Sequence, residues 1–123
     1  MSDTQEKLVV ILTHGADDQE RATLAFVMAN AAQAMDVPCK VILQAGGVTL
    51  AVKGVAEHVH APSLPSLTEL MKSYQEAGGR LYVCAPCCQA RKIGKEDFVG
   101  NAEMVTSGLV IDESMGAKTV LSY

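Results

Sequence analysis

Five consecutive apolar residues, Leu8 to Leu12, run without a polar interruption inside the stretch KLVVILT at positions 7–13. A strand that is apolar on alternate and intervening positions alike must be covered on both faces, which is the habit of parallel sheets sandwiched between helices. The residues that follow supply such a cover. His14-Gly15-Ala16 reads as a loop, and Asp17-Asp18-Gln19-Glu20 as a helix start, with Asp17 and Glu20 at capping-box spacing and both aspartates as capping residues. Nothing breaks a helix from Gln19 to Met35, and from Ala22 onward only Thr23, Asn30 and Gln33 interrupt its apolar surface. A helix this apolar needs cover on more than one side; a sheet supplies one, and the outer face is expected to be a subunit interface.

The same alternation continues to the C-terminus. Asp36-Val37-Pro38 ends the helix, and Cys39 to Leu43 reads as a second strand. Gly46-Gly47 opens a short helix or turn over 48–53 that stops at Gly54, 55–59 has no clear preference, and 61–65 (APSLP) is a loop. Ser66 as N-cap with Glu69 three residues on predicts a helix over 67–76, ended by Gly78-Gly79. Leu81-Tyr82-Val83 favours a strand running into Cys84, and Pro86 suits the first turn of a helix, where its missing N–H has no partner to lose. A loop or turn at 94–98, a strand at 103–106, a helix at 108–115 stopped by Gly116 and a strand at 118–122 complete the pattern. Strands alternating with helices through short loops predict a single α/β domain over residues 1–123 with a mostly parallel five-stranded sheet.

In such sheets ligands sit beyond the carboxyl ends of the strands. Three loops that follow strands, at 13–15, 44–47 and 84–86, are therefore expected to line one rim. The third holds three of the four cysteines, in Cys84-Ala85-Pro86-Cys87-Cys88, with Arg91 and Lys92 one turn on. The nucleophile in thiol chemistry is the thiolate, which positive charge and the unpaired N–H groups of a helix start both favour. Cys84 is the candidate nucleophile and Cys87 a candidate resolving thiol. Cys88, about 100° further round the helix, is expected to pack inward. Cys39, alone at a strand start, reads as core.

Composition narrows the partners. A net charge of −4 and a pI near 5.2, with no basic run, argue against nucleic acid. The N-terminal stretch is polar, without the basic and apolar regions of a secretory signal, and no apolar run approaches the ~18 residues of a membrane span. The expectation is a cytoplasmic protein without a membrane segment, in which cysteines are catalytic, redox-active or metal-bound more often than structural. His14 follows a strand at the rim, where it can shuttle a proton or bind an anion, or simply hydrogen-bond the loop backbone. His58 and His60 read as surface or interface residues, and the six methionines as packing or interface residues.

Taken in order, the acidic loop Gly15-Ala16-Asp17-Asp18, the Ala-rich helix from Arg21 to Met35, the turn Gln44-Ala45-Gly46-Gly47-Val48, the segment Lys53-Gly54-Val55, and Gly79-Arg80-Leu81-Tyr82-Val83-Cys84 with Arg91 shortly after make the chain resemble the DsrE/DsrF-like family, which includes the sulfur-relay subunits of the Tus and Dsr type. The likeness runs nearly end to end. It implies a three-layer α/β/α sandwich, assembly into homo-trimers or homo-hexamers, and a persulfide-carrying cysteine at Cys84. It also implies sulfur donor and acceptor proteins as partners, rhodanese-like or TusA-like. Tus-type subunits rely on one cysteine, whereas here Cys87 and Cys88 stand beside Cys84.

The residues themselves allow that chemistry without any cofactor. A Cys84 thiolate attacking the outer sulfur of a persulfide or thiosulfonate would take that sulfur, and rim N–H groups around Gly46, together with Arg91, would hold the anion. Two other classes compete. Cys84-Ala85-Pro86-Cys87 resembles the C-x-P-C of a thioredoxin-type dithiol, although no proline follows Pro86 in this chain. C-x-x-C is also half of a zinc site, but no second pair follows, so no metal site is expected. A non-catalytic assembly subunit is the remaining alternative.

Overall fold

The computed structural model describes residues 6–123. The polar N-terminal stretch discussed above lies largely outside the described residues. Five strands, β1 (Leu8–Leu12), β2 (Cys39–Leu43), β3 (Arg80–Cys84), β4 (Glu103–Val105) and β5 (Thr119–Ser122), form one sheet in the order β4-β3-β2-β1-β5. Every pairing is parallel, so the expected mostly parallel sheet is wholly parallel. The helices are α1 (Gln19–Ala34), α2 (Leu67–Glu76), α3 (Ala85–Ala90) and α4 (Ser107–Met115), with 3-10 segments at Ala45–Ala51, Ala56–His58 and Lys95–Asp97.

Alternation along the strands divides the core. Val10, Leu12, Val41, Leu43, Leu81 and Val83 point to the side covered by α1, α2 and α3, whereas Val9, Ile42, Tyr82 and Val105 meet Val110 of α4 on the other. Three successive crossovers step the sheet from β1 to β4 with their helices on one face. The fourth returns from one edge to the other, placing α4 beneath, as crossovers of a single hand require. The result is a three-layer α/β/α sandwich with unequal outer layers. A nine-residue helix is about 13.5 Å long, while four strand spacings come to about 19 Å, so α4 cannot cover its face. Charged side chains fill part of the gap: Glu113 bridges Lys7 and Lys40 at 3.4 and 3.3 Å, and Lys40 and Arg80 lie over the Tyr82 ring.

α1 is apolar nearly all round because α2 lies against it as well as the sheet. Phe26 meets Tyr74 edge-on at 5.9 Å, and the Asn30 amide donates to the carbonyls of Phe26 and Leu70, tying the two helices together. α2 thus covers much of the surface expected to be an interface, and Met28 and Met35 are the large apolar residues of this helix and its C-cap left exposed. The cap also differs from expectation. Asp18 is the N-cap and accepts from the Arg21 N–H at 3.0 Å, while Asp17 turns back into the loop.

Candidate functional site

The β1, β2 and β3 loops do converge at the carboxyl end of the sheet, and the glycines explain how closely. A Cβ at Gly47 would overlap the Leu12 carbonyl oxygen, and one at Gly15 would sit 2.9 Å from the Gly46 oxygen and 2.6 Å from Thr49 Oγ1. Only bare backbone fits there. Locked in this way, the β2 loop enters its 3-10 segment through Ala45, which holds a left-handed φ of +49° that costs a non-glycine residue about 1–2 kcal/mol. That conformation points the Ala45 N–H at Cys87 Sγ, 3.3 Å away.

β3 ends at Cys84, the N-cap of α3, which puts Cys87 one turn later on the same side. The two sulfurs are 2.8 Å apart, closer than the sum of their van der Waals radii, and both residues are half-buried free thiols. They are not equivalent. The Cys84 thiol is pushed up, first by burial and then by its hydrogen bond to Cys87. The Cys87 thiol is pulled down by that same hydrogen bond, by the Ala45 N–H and by the Arg91 guanidinium. The anion is therefore favoured on Cys87, which faces the Ala45 N–H, over Cys84, which meets the Cys87 N–H but is the more desolvated of the two.

Cys88 is buried with its thiol raised by desolvation, and Cys39 is buried in the core with its thiol pushed up to about 12. Both are packing residues. Arg91 is exposed at the α3 C-cap and donates to the Cys87 carbonyl at 3.2 Å. It stays on α3 because the helix closes with Ile93 N–H on the Cys88 carbonyl and Lys92 N–H on that of Gln89, a Schellman ending with Lys92 at φ 58°.

The structure gathers the expected residues unevenly. Cys84, Cys87 and Arg91 form one group, and Gly46 adjoins it as the residue after Ala45. His14 is set apart: its Nδ1 lies 2.7 Å from Asp17 Oδ2, and its link to the thiols runs through Gly15 and Gly46. Asp17, whose carboxyl is held below its usual range by His14 and by the Gly15 N–H, fixes that ring. The 44–47 loop lies at the rim as expected, but the part Ala45 plays leaves no trace in side-chain identity; the adjoining Gly46-Gly47 pair is the sequence signal of a tight approach. His58 and His60 are exposed, and the His60 N–H donates to Gln19 Oε1 at the start of α1. Among the described residues no group of three or more His, Cys, Asp or Glu side chains is placed to hold a metal. A cleft of about 490 Å³ between the first 3-10 segment and α2, lined by Leu50, Val52, Met71 and Val99, contains none of the cysteines.

Among the described residues no helix is long and apolar enough to cross a membrane. Solved structures share the fold: the ychN protein of E. coli superposes with a TM-score of 0.81 at 16% identity, over 96% of this chain and 99% of that one. The Methanobacterium thermoautotrophicum protein MTH1491 does so with a TM-score of 0.69 at 14% identity, over 96% and 99%. In sequence, the uncharacterized Methanocaldococcus jannaschii protein MJ0989 is 32% identical over 81% of this chain and 84% of its own length. MJ0760 of the same organism, also uncharacterized, is 29% identical over 96% of this chain, which spans only 39% of that relative. The model of the DsrE/DsrF-like family matches residues 6–116, and the chain belongs to that family.

Proposed function

We propose that this protein is a sulfur carrier, or sulfurtransferase, that binds sulfane sulfur as a persulfide on the Cys84–Cys87 pair and passes it between donor and acceptor proteins. The observation that carries the reading is the contact between two free thiols at the sheet rim, one of them facing a backbone N–H that stabilises an anion. Membership of the DsrE/DsrF-like family agrees with a sulfur-relay role in general. A rhodanese-like or TusA-like protein suits the donor and acceptor roles, because each presents a single sulfur atom to a thiolate. Arg91 flanks the rim, and its guanidinium suits the charge of a persulfide or thiosulfonate. The setting is the cytoplasm, where such thiols stay reduced, and the assembly a homo-trimer or homo-hexamer.

The test is a rapid quench. Reduced protein is mixed with thiosulfate, tetrathionate, polysulfide or sulfur-charged rhodanese, alkylated within the first turnover, and weighed intact. The reading expects a reductant-labile gain of about one sulfur in the wild type and none in the double variant Cys84→Ser/Cys87→Ser. Sulfur uptake that survives the double substitution would sink the assignment. A Cys84–Cys87 disulfide formed without any sulfur uptake would instead make the pair a plain dithiol redox centre.

A further inference from the structure

We infer that Cys87 accepts the sulfur and that Cys84 then expels it as hydrosulfide, which gives the protein a second activity, persulfide reduction. This rests on the sulfur-carrier reading above and assigns an order to its two thiols. Four observations support it. The Ala45 N–H points at Cys87 Sγ, at 3.3 Å. The segment presenting it is fixed by glycine contacts with the Leu12 and Gly46 backbone that leave no room for a side chain. Arg91 is anchored on the Cys87 carbonyl, so its charge stands over the same residue. Finally, Cys84 Sγ lies 2.8 Å from Cys87 Sγ, in contact with what becomes the inner sulfur of a Cys87 persulfide. The outer sulfur would lie about 2.05 Å beyond Cys87 Sγ, so the inner one is the nearer target.

The steps balance without a cofactor. The Cys87 thiolate attacks the outer sulfur of a donor persulfide; a Cys87–sulfane S–S bond forms, the donor's S–S bond breaks, and the donor leaves as thiolate. Cys84 then attacks Cys87 Sγ. The Cys84–Cys87 bond forms, the Cys87–sulfane bond breaks, and its electron pair leaves with the sulfane sulfur, which takes the Cys84 proton and departs as HS⁻. The sulfane sulfur gains two electrons and the two cysteine sulfurs together lose two. An external dithiol reductant reopens the disulfide for another cycle. When an acceptor thiolate reaches the outer sulfur first, the same persulfide is relayed intact, so the two outcomes are set by competition for one intermediate.

The experiment uses the reduced full chain and sulfur-charged rhodanese freed of excess donor, with no reductant and no quench, and measures sulfide, intact mass and the position of the modification. In the wild type the inference expects about one sulfide per sulfur transferred, together with a Cys84–Cys87 disulfide. In Cys84→Ser it expects sulfide release to fall by roughly tenfold or more while a persulfide accumulates on Cys87, and in Cys87→Ser it expects sulfur uptake to be lost. A wild-type persulfide that is stable with no sulfide evolved, or uptake that persists in Cys87→Ser and disappears in Cys84→Ser, would overturn the inference and leave the carrier reading standing. No uptake by any form, quenched or not, would overturn both.

Discussion

Cys84 and Cys87 are 2.8 Å apart, yet their thiols are shifted in opposite directions, Cys84 upward by burial and Cys87 downward by its donors. Cys87 faces the Cys84 thiol and the Ala45 N–H, whereas Cys84, although it meets the Cys87 N–H, is more desolvated. A group whose ionised form is favoured reacts at lower pH. The rate at which Cys87 is alkylated should therefore rise through a pKa below the ordinary thiol range and flatten above it. Cys84→Ala removes the thiol that faces Cys87 and should move that rise to higher pH, slowing the reaction near neutrality by roughly tenfold. Cys84→Ser keeps an O–H in its place and should leave the rise near its wild-type position. Iodoacetamide kinetics across pH on the Cys87 peptide check this, and a profile that Cys84→Ala leaves unmoved would mean that the Cys84 hydrogen bond does not set the charge. Cys39, pushed up to about 12 by burial, should stay unmodified until the protein is unfolded.

The elements were legible where apolar pattern and caps decide them. β2 and α2 fall at the bounds that Cys39–Leu43 and the Ser66 cap predict, and Ser66 Oγ does accept the Glu69 N–H. The cysteine strand and its short helix follow from the Leu81-Tyr82-Val83 run and Pro86. Less visible was whatever depends on backbone geometry. Asp17 and Asp18 look alike in sequence, and only the fold decides that Asp18 caps α1 while Asp17 holds His14. The pairing of Cys87 with Ala45 joins residues 42 positions apart through a strained turn that no side chain announces. Gly47 tests that turn. Gly47→Ala would drive a methyl group into the Leu12 carbonyl, which should cost about 1–3 kcal/mol in urea unfolding and, by moving Ala45, slow sulfur uptake by Cys87. Unchanged stability would mean that the rim loop is looser than its contacts imply.

On the scale of the whole molecule, unequal cover of the sheet is the feature with consequences. The α4 layer leaves Ile111 62% and Met115 81% exposed, with Val120 on the adjoining edge strand, whereas on α1 the apolar surface was expected to be open and is largely taken by α2. The proposed homo-oligomer is thus better served by the α4 side. Ile111→Glu with Met115→Glu should lower the mass found by light scattering without changing the circular dichroism spectrum, and an unchanged mass would place the contact elsewhere. The parallel α/β sandwich was readable from the β/α alternation, while the return of β5 beside β1 rests on long-range pairing that short runs do not encode. Sulfur carried at the rim must appear on one peptide. Trypsin cuts after Arg80 and Arg91 and releases Leu81–Arg91 with Cys84, Cys87 and Cys88, leaving Cys39 in a separate fragment. After a brief exposure to sulfur-charged rhodanese and an alkylating quench, the account predicts sulfane sulfur on Leu81–Arg91, at Cys87 or Cys84, and its disappearance when an acceptor thiol protein is added before the quench. Sulfur on the Cys39 fragment, or none on Leu81–Arg91, would contradict it.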